Sequence, residues 1–207
     1  MLRPAVVALS ALLALPLAAQ APAGWHERVD RSTSASDPDN TPDIKFVTMG
    51  NGFHVTTGPA VTLWKNENTA TGAYTLKGRF RLVKPSGHTN YYGLVFGAGG
   101  LEGGDQAYLY FLVGQDGSFL VKHRAGAATH DVQAKTPHAS VVKPDANGSS
   151  TNTLEVRVGA DKIDYVVNGT VVHSTPRSGM SARTDGVWGI RVNHQLEVHV
   201  DQLAVTK

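Results

Sequence analysis

Over much of this chain, apolar and polar residues alternate with a period of two. Tyr74, Leu76, Phe80 and Leu82 alternate with Thr75, Lys77, Arg79 and Arg81, the pattern of a strand with one buried and one wet face. Leu154, Val156 and Val158 repeat it against Thr153, Glu155 and Arg157, and Leu196, Val198 and Val200 against Glu197, His199 and Asp201. Tyr91–Phe96 and Ala107–Val113 are continuously apolar, as central strands covered on both sides would be. Turn signals punctuate the runs: Asn51-Gly52, Gly58-Pro59, Asp116-Gly117, Asn168-Gly169 and Asp185-Gly186. They separate Ile44–Met49, Phe53–Thr57, Val61–Trp64, Phe119–Arg124, Ile163–Val167, Thr170–His173 and Val187–Val192. Asn168-Gly169 between two β-branched runs predicts a two-residue hairpin. No segment sustains helical spacing. The pattern predicts an all-β fold, an antiparallel two-sheet sandwich in preference to a closed barrel.

The first residues follow a different pattern. A single early cation, Arg3, precedes the apolar run Ala5–Leu17 and the small residues Ala18–Ala23. That order predicts a secretory signal peptide over residues 1–23, with cleavage after Ala23 preferred over Ala21, and hence a secreted or periplasmic protein. The run is too short to span a bilayer. Residues 24–43 are polar and irregular, which predicts a lead-in loop, and residues 44–207 then form one β-sandwich domain. A net charge of +2 with scattered Lys and Arg speaks against a nucleic-acid partner. With no cysteine, disulfides and thiolate metal sites are excluded. The 22 glycines predict many tight turns.

Candidate chemistry is sparse. On one strand face Glu197 and Asp201 flank His199, and Glu102 and Asp105 share a glycine-rich loop. Either pair would have to converge to serve as the two carboxyls of a glycosidase. The bland alternative for Glu197, His199 and Asp201 is the solvated side of an edge strand. Asp37-Pro38-Asp39-Asn40 opens like a calcium loop, but Pro42 and Thr48 replace the Gly and Glu that an EF-hand needs. Only a looser calcium site is left open, and no cofactor is expected. His194 and His199 are an odd number of residues apart and face opposite sides of a strand, so a histidine metal site is not predicted. No Gly-x-Ser-x-Gly elbow occurs. Phe96–Gly104 is glycine-rich without the dinucleotide pattern and predicts a long flexible loop bordering a binding face. Trp64, Tyr92, Tyr108 and Tyr110 are candidates for stacking on sugar rings, each also readable as a core ring. Lys122 with Arg124, and Arg191 with Asn193, share strand faces and supply hydrogen-bond donors.

Tyr91-Tyr92-Gly93-Leu94-Val95-Phe96-Gly97, Tyr108–Val113 and Asn152–Val158 appear in the order found in concanavalin A-like lectin/glucanase domains. Ile163–Thr170 and Gly186–His194 extend the likeness. Among such domains the chain most resembles the bacterial secreted 3-keto-disaccharide hydrolase-like branch, over roughly Phe53 to Val205. The resemblance implies a jelly roll whose concave face takes carbohydrate or glycoconjugate. The Glu-x-Asp-x-x-Glu strand of the glucanase members has no counterpart, and no catalytic residue transfers. The expected site is Tyr108, Tyr110, Lys122, Arg124, Arg191 and Asn193, with His88, Tyr92 and His194 at its rim. Two alternatives stand beside it: a glycoside hydrolase or lyase drawing acids from Glu102, Asp105, Glu197 or Asp201, and a non-catalytic adhesion or structural module of the cell envelope.

Overall fold

The computed structural model describes residues 22–34 and 36–207. The expected signal peptide therefore falls almost wholly outside the described residues. Fourteen strands are present: β1 (His26–Asp30), β2 (Lys45–Met49), β3 (Gly52–Thr56), β4 (Ala60–Ala70), β5 (Tyr74–Lys84), β6 (Tyr91–Gly99), β7 (Ala107–Gly114), β8 (Ser118–Ala125), β9 (Ala128–Pro137), β10 (Ser150–Val158), β11 (Lys162–Val167), β12 (Thr170–Pro176), β13 (Gly186–Val192) and β14 (Glu197–Thr206). They form two seven-stranded sheets, ordered β1-β4-β13-β6-β7-β8-β9 and β12-β11-β10-β5-β14-β3-β2. All pairings are antiparallel. The result is a two-sheet jelly-roll sandwich.

Alternation decides which side chains fill the space between the sheets. From β7, Leu109, Phe111 and Val113 point inward, and from β6, Tyr92, Leu94 and Phe96. Leu76, Phe80 and Leu82 of β5 and Leu154, Val156 and Val158 of β10 meet them from the second sheet. Phe111 and Tyr165 pack with ring centroids 5.3 Å apart, which links the two sheets. The intervening residues of the first sheet, Tyr91, Val95, Tyr108, Tyr110, Leu112 and Leu120, form a separate buried cluster with Trp64 and Leu101. Because they alternate with core residues along the same strands, they lie on the outer face of that sheet.

Several expectations change. The irregular lead-in contributes β1, which pairs with β4 in the register His26↔Trp64 to Asp30↔Ala60. β9 also lacked a sequence signal. Both are edge strands of mainly polar residues, held by ladder hydrogen bonds to one neighbour and by a single valine each, Val29 and Val132, against the core. β14 lies between β5 and β3, so it is an interior strand and not the edge strand considered for Glu197, His199 and Asp201. Turn chemistry worked at Asn168 and Gly169, whose φ of 50° and 83° close the β11–β12 hairpin. At the β2–β3 hairpin, Met49↔Gly52 pairing puts the turn one residue earlier than expected, at Gly50-Asn51.

Gly189 shows how closely the first sheet is built. It pairs with Trp64 on one side and Val95 on the other, and a Cβ there would fall inside the contact radius of the Leu63 carbonyl oxygen. Gly189→Ala is expected to lower unfolding free energy by about 1–3 kcal/mol through backbone displacement. A urea titration checks it, and a change of less than about 0.5 kcal/mol would contradict the close packing.

Candidate functional site on the outer face of the first sheet

Register places the polar groups on this face. Tyr108 pairs with Arg124 and Tyr110 with Lys122 across β7 and β8. Arg191 pairs with Thr62 of β4 and Gly93 of β6, and Thr62 with Arg28 of β1. Asp30, two residues beyond Arg28, is on the same face.

Asp30 is where these side chains converge. Its Oδ2 accepts a hydrogen bond from Arg191 Nη1 at 2.7 Å. Its Oδ1 lies 3.9 Å from Arg124 Nη2 and 4.0 Å from Arg28 Nε. Five inter-strand gaps separate β1 from β8, about 24 Å in a flat sheet. That exceeds the combined reach of an aspartate and an arginine side chain, so the sheet curls and this outer face is concave.

The rest of the site supports Arg191. Its Nη1 also donates to Thr62 Oγ1 at 3.0 Å and to the Tyr108 hydroxyl at 3.4 Å, and its Nε to Asn193 Oδ1 at 3.1 Å. The guanidinium carbon stands 5.6 Å from the Tyr110 ring centroid, a cation–π distance. Tyr108 and Tyr110 are 2% and 6% exposed. They form the floor of the site, not the open stacking platforms expected from sequence. Burial pushes the Tyr110 phenol up, with Arg191 opposing it, so its hydroxyl stays protonated at neutral pH. Lys122 is half-buried and paired with Asp131 at 3.1 Å. Arg124 donates through Nε to the Gly126 carbonyl at 2.7 Å.

The glycine-rich segment is not the long loop expected. β6 runs on to Gly99, and the remaining turn folds over the face with Leu101 buried. Arg28 Nη1 pins it, donating to the carbonyls of Leu101 at 3.0 Å and Gly103 at 2.8 Å. Beside it lies a recess of about 290 Å³ lined by Trp64, Asn66, Leu101, Glu102 and Val187 among others. The Trp64 indole donates to Asn66 Oδ1 at 3.0 Å and stacks on His26 at 5.7 Å.

The expected rim residues divide. Tyr92 faces the sandwich interior, fully buried against Phe80, with its hydroxyl accepting from Asn152 at 3.4 Å. It is no part of the face, because its position on β6 has the inward parity. His88 is in the β5–β6 connection beside Asp39 Oδ2 at 3.3 Å and Asn90 Nδ2 at 3.0 Å. His194 follows β13, half-buried, with Nδ1 enclosed and unpartnered among the described residues. Burial holds its pKa below the ordinary value.

The candidate catalytic acids do not assemble. Glu197 pairs with His54 at 3.0 Å, and Asp201 with Arg79 at 2.8 Å, on the outer face of the other sheet. Glu102 pairs with His26 at 3.4 Å in the β6–β7 turn. Asp37 caps a short 3₁₀ turn by accepting from the Asp39 amide at 2.9 Å. Among the described residues no group of three or more His, Cys, Asp or Glu is placed to hold a metal ion. Nor is any helix there long and apolar enough to cross a membrane.

No family model matches the sequence, and no curated protein does. Solved structures share the fold. A carbohydrate-binding module, CBM66 from Bacillus subtilis, superposes with TM-score 0.64 at 11% identity, covering 89% of this chain and 96% of its own. A Bacillus subtilis protein of unknown function with a galectin-like fold gives 0.62 at 12% identity, covering 87% and 88%. Alginate lyase A1-II′, of polysaccharide lyase family 7, gives 0.53 at 15% identity, covering 78% and 82%. At these identities the likeness is one of fold.

Removing the Asp30 carboxylate leaves three guanidinium groups without their shared anion. Asp30→Ala is expected to cost about 2–4 kcal/mol of stability, and adding Arg191→Met should restore part of it. Denaturant unfolding of the single and double variants checks the pair, and additive losses would contradict coupling. For His194 the unfolded imidazole titrates near 6.5 and the folded one lower. The unfolded state therefore binds its proton first. His194's contribution is complete above about pH 6.5 and is lost as pH falls toward the folded value. Unfolding midpoints at about pH 7.5 and 5.5 should differ less in His194→Gln than in the parent protein. An equal difference would contradict it.

Proposed function

We propose that this chain is a carbohydrate- or glycoconjugate-binding β-sandwich whose ligand lies on the concave outer face of the first sheet. The observation that carries the reading is the convergence of Arg28, Arg124 and Arg191 on Asp30 above a floor of Tyr108 and Tyr110. Planar guanidinium groups present donors in fixed directions, which suits hydroxyl and carboxylate oxygens. Fold likeness to CBM66 supports the same reading, as analogy and not as a site match. The charged start of the chain and its apolar run support a secreted or periplasmic location.

Hydrolysis by paired carboxyls has less support. Glu197 and Asp201 are on the opposite outer face, Glu197 against His54 and Asp201 in an ion pair with Arg79, while Asp30 is committed to arginines. Adhesion through an apolar patch also has less support, because among the described residues the exposed large apolar side chains are Met49, Val142, Val171 and Met180 alone.

A glycan array with Arg124→Ala and Lys122→Ala tests the site. Each substitution should weaken binding about tenfold, the value of one charge-assisted hydrogen bond. Lys77→Ala, on the outer face of the second sheet, should leave binding unchanged. Binding that survives both first-sheet substitutions, or that is lost in Lys77→Ala, would overturn the assignment.

A further inference from the structure

We infer that the concave face selects an acidic saccharide, with a uronate carboxylate seated between Arg28 and Arg124. The inference rests on reading this face as the carbohydrate site. It starts from charge. Three guanidinium groups stand within 4.0 Å of a single carboxylate, which leaves two positive charges uncompensated in the cluster. Lys122 is paired with Asp131 at 3.1 Å and Lys135 with Asp116 at 2.6 Å, so neither adds to that excess.

The three arginines are not equivalent. Arg191 is 8% exposed and already bonded to Asp30, Thr62, Tyr108 and Asn193, so it is structural. Arg28 and Arg124 reach solvent, with side chains 27% and 17% exposed. Each is anchored through one nitrogen to backbone carbonyls, Arg28 Nη1 to Leu101 and Gly103 and Arg124 Nε to Gly126. Their separations from Asp30 Oδ1, 4.0 and 3.9 Å, are too long for direct hydrogen bonds. Two fixed guanidinium groups thus flank one anion that satisfies neither. A planar carboxylate accepts parallel N–H bonds from such a fork, and partial enclosure strengthens the attraction relative to water. A neutral sugar would leave the excess charge unmet.

Isothermal titration separates this inference from the reading beneath it. The probes are an oligogalacturonate, its carboxyl-reduced neutral counterpart and a sulfated galactan oligosaccharide. The oligogalacturonate should bind at least about tenfold more tightly than the reduced form, with the preference shrinking as salt rises. Arg124→Ala should bring the two affinities to within about twofold while leaving the melting temperature near that of the parent; Arg124→Lys, which keeps the charge without the fork, should fall between. Equal affinity for the acidic and reduced forms would overturn the acidic selectivity and leave carbohydrate binding standing. A preference for the sulfated probe over the uronate would overturn the carboxylate assignment, as would a ratio unchanged in Arg124→Ala. Binding of none of the three would overturn both.

Discussion

A carboxylate that meets three guanidinium groups on a partly enclosed face can neutralise only one of them. Asp30 is in that position, and its arginine contacts run from the edge strand β1 to β13 and β8. The contact with Arg124 requires a curled sheet, and the curl turns an outer face into a concave one. Burial of charge is costly unless it is paired, and here Thr62 and Tyr108 accept from Nη1 and Asn193 from Nε of Arg191 beside the Asp30 contact. Tyr108 is itself out of solvent, packed in the outer-face cluster with Tyr110 and Leu101. Structure and site therefore compete for the same residues, and the exposed remainder, Arg28 and Arg124, is left to meet a ligand.

Below this face the sandwich supplies rigidity. Phe111 and Tyr165 join the two sheets in contact, and Gly189 lets β4 and β6 approach a strand that carries Arg191 two residues on. The second sheet presents a different surface. On its outer face Arg79 pairs with Asp201, Lys77 and Arg157 share Glu155, and Arg81 reaches only the Ser149 hydroxyl among the described residues. Solvated pairs of this kind contribute little to stability, and water screens their charge from a ligand. What distinguishes the first sheet is that Arg28 and Arg124 are largely enclosed on a concave face, with side chains 27% and 17% exposed, whereas Lys77, Arg79 and Arg157 of the second sheet are open to solvent.

Much of this was legible in the sequence, and the gaps have physical causes. Period-two alternation located the core strands, and the pairs Lys122 with Arg124 and Arg191 with Asn193 fall on the face that parity assigned them. Asp30 and Arg28 were missed because β1 is an edge strand with a polar composition. Its one signal was the same-parity series His26, Arg28 and Asp30, too short to separate from a loop. Tyr92 was misplaced because a continuously apolar strand gives no parity; only the alternation of Tyr91 and Tyr92 between two buried clusters distinguishes them. Sequence left Tyr108 and Tyr110 open between stacking platforms and core rings, and what decides for burial is packing with Leu101 folded back over the face.

The most direct measurement of the central claim is an NMR titration with oligogalacturonate that follows the arginine Nε–H resonances. The account predicts shifts at Arg28 and Arg124, smaller ones at Arg191, and none at Arg79 or Arg157 on the other sheet. Shifts confined to Arg79 and Arg157, or none on the concave face, would contradict it.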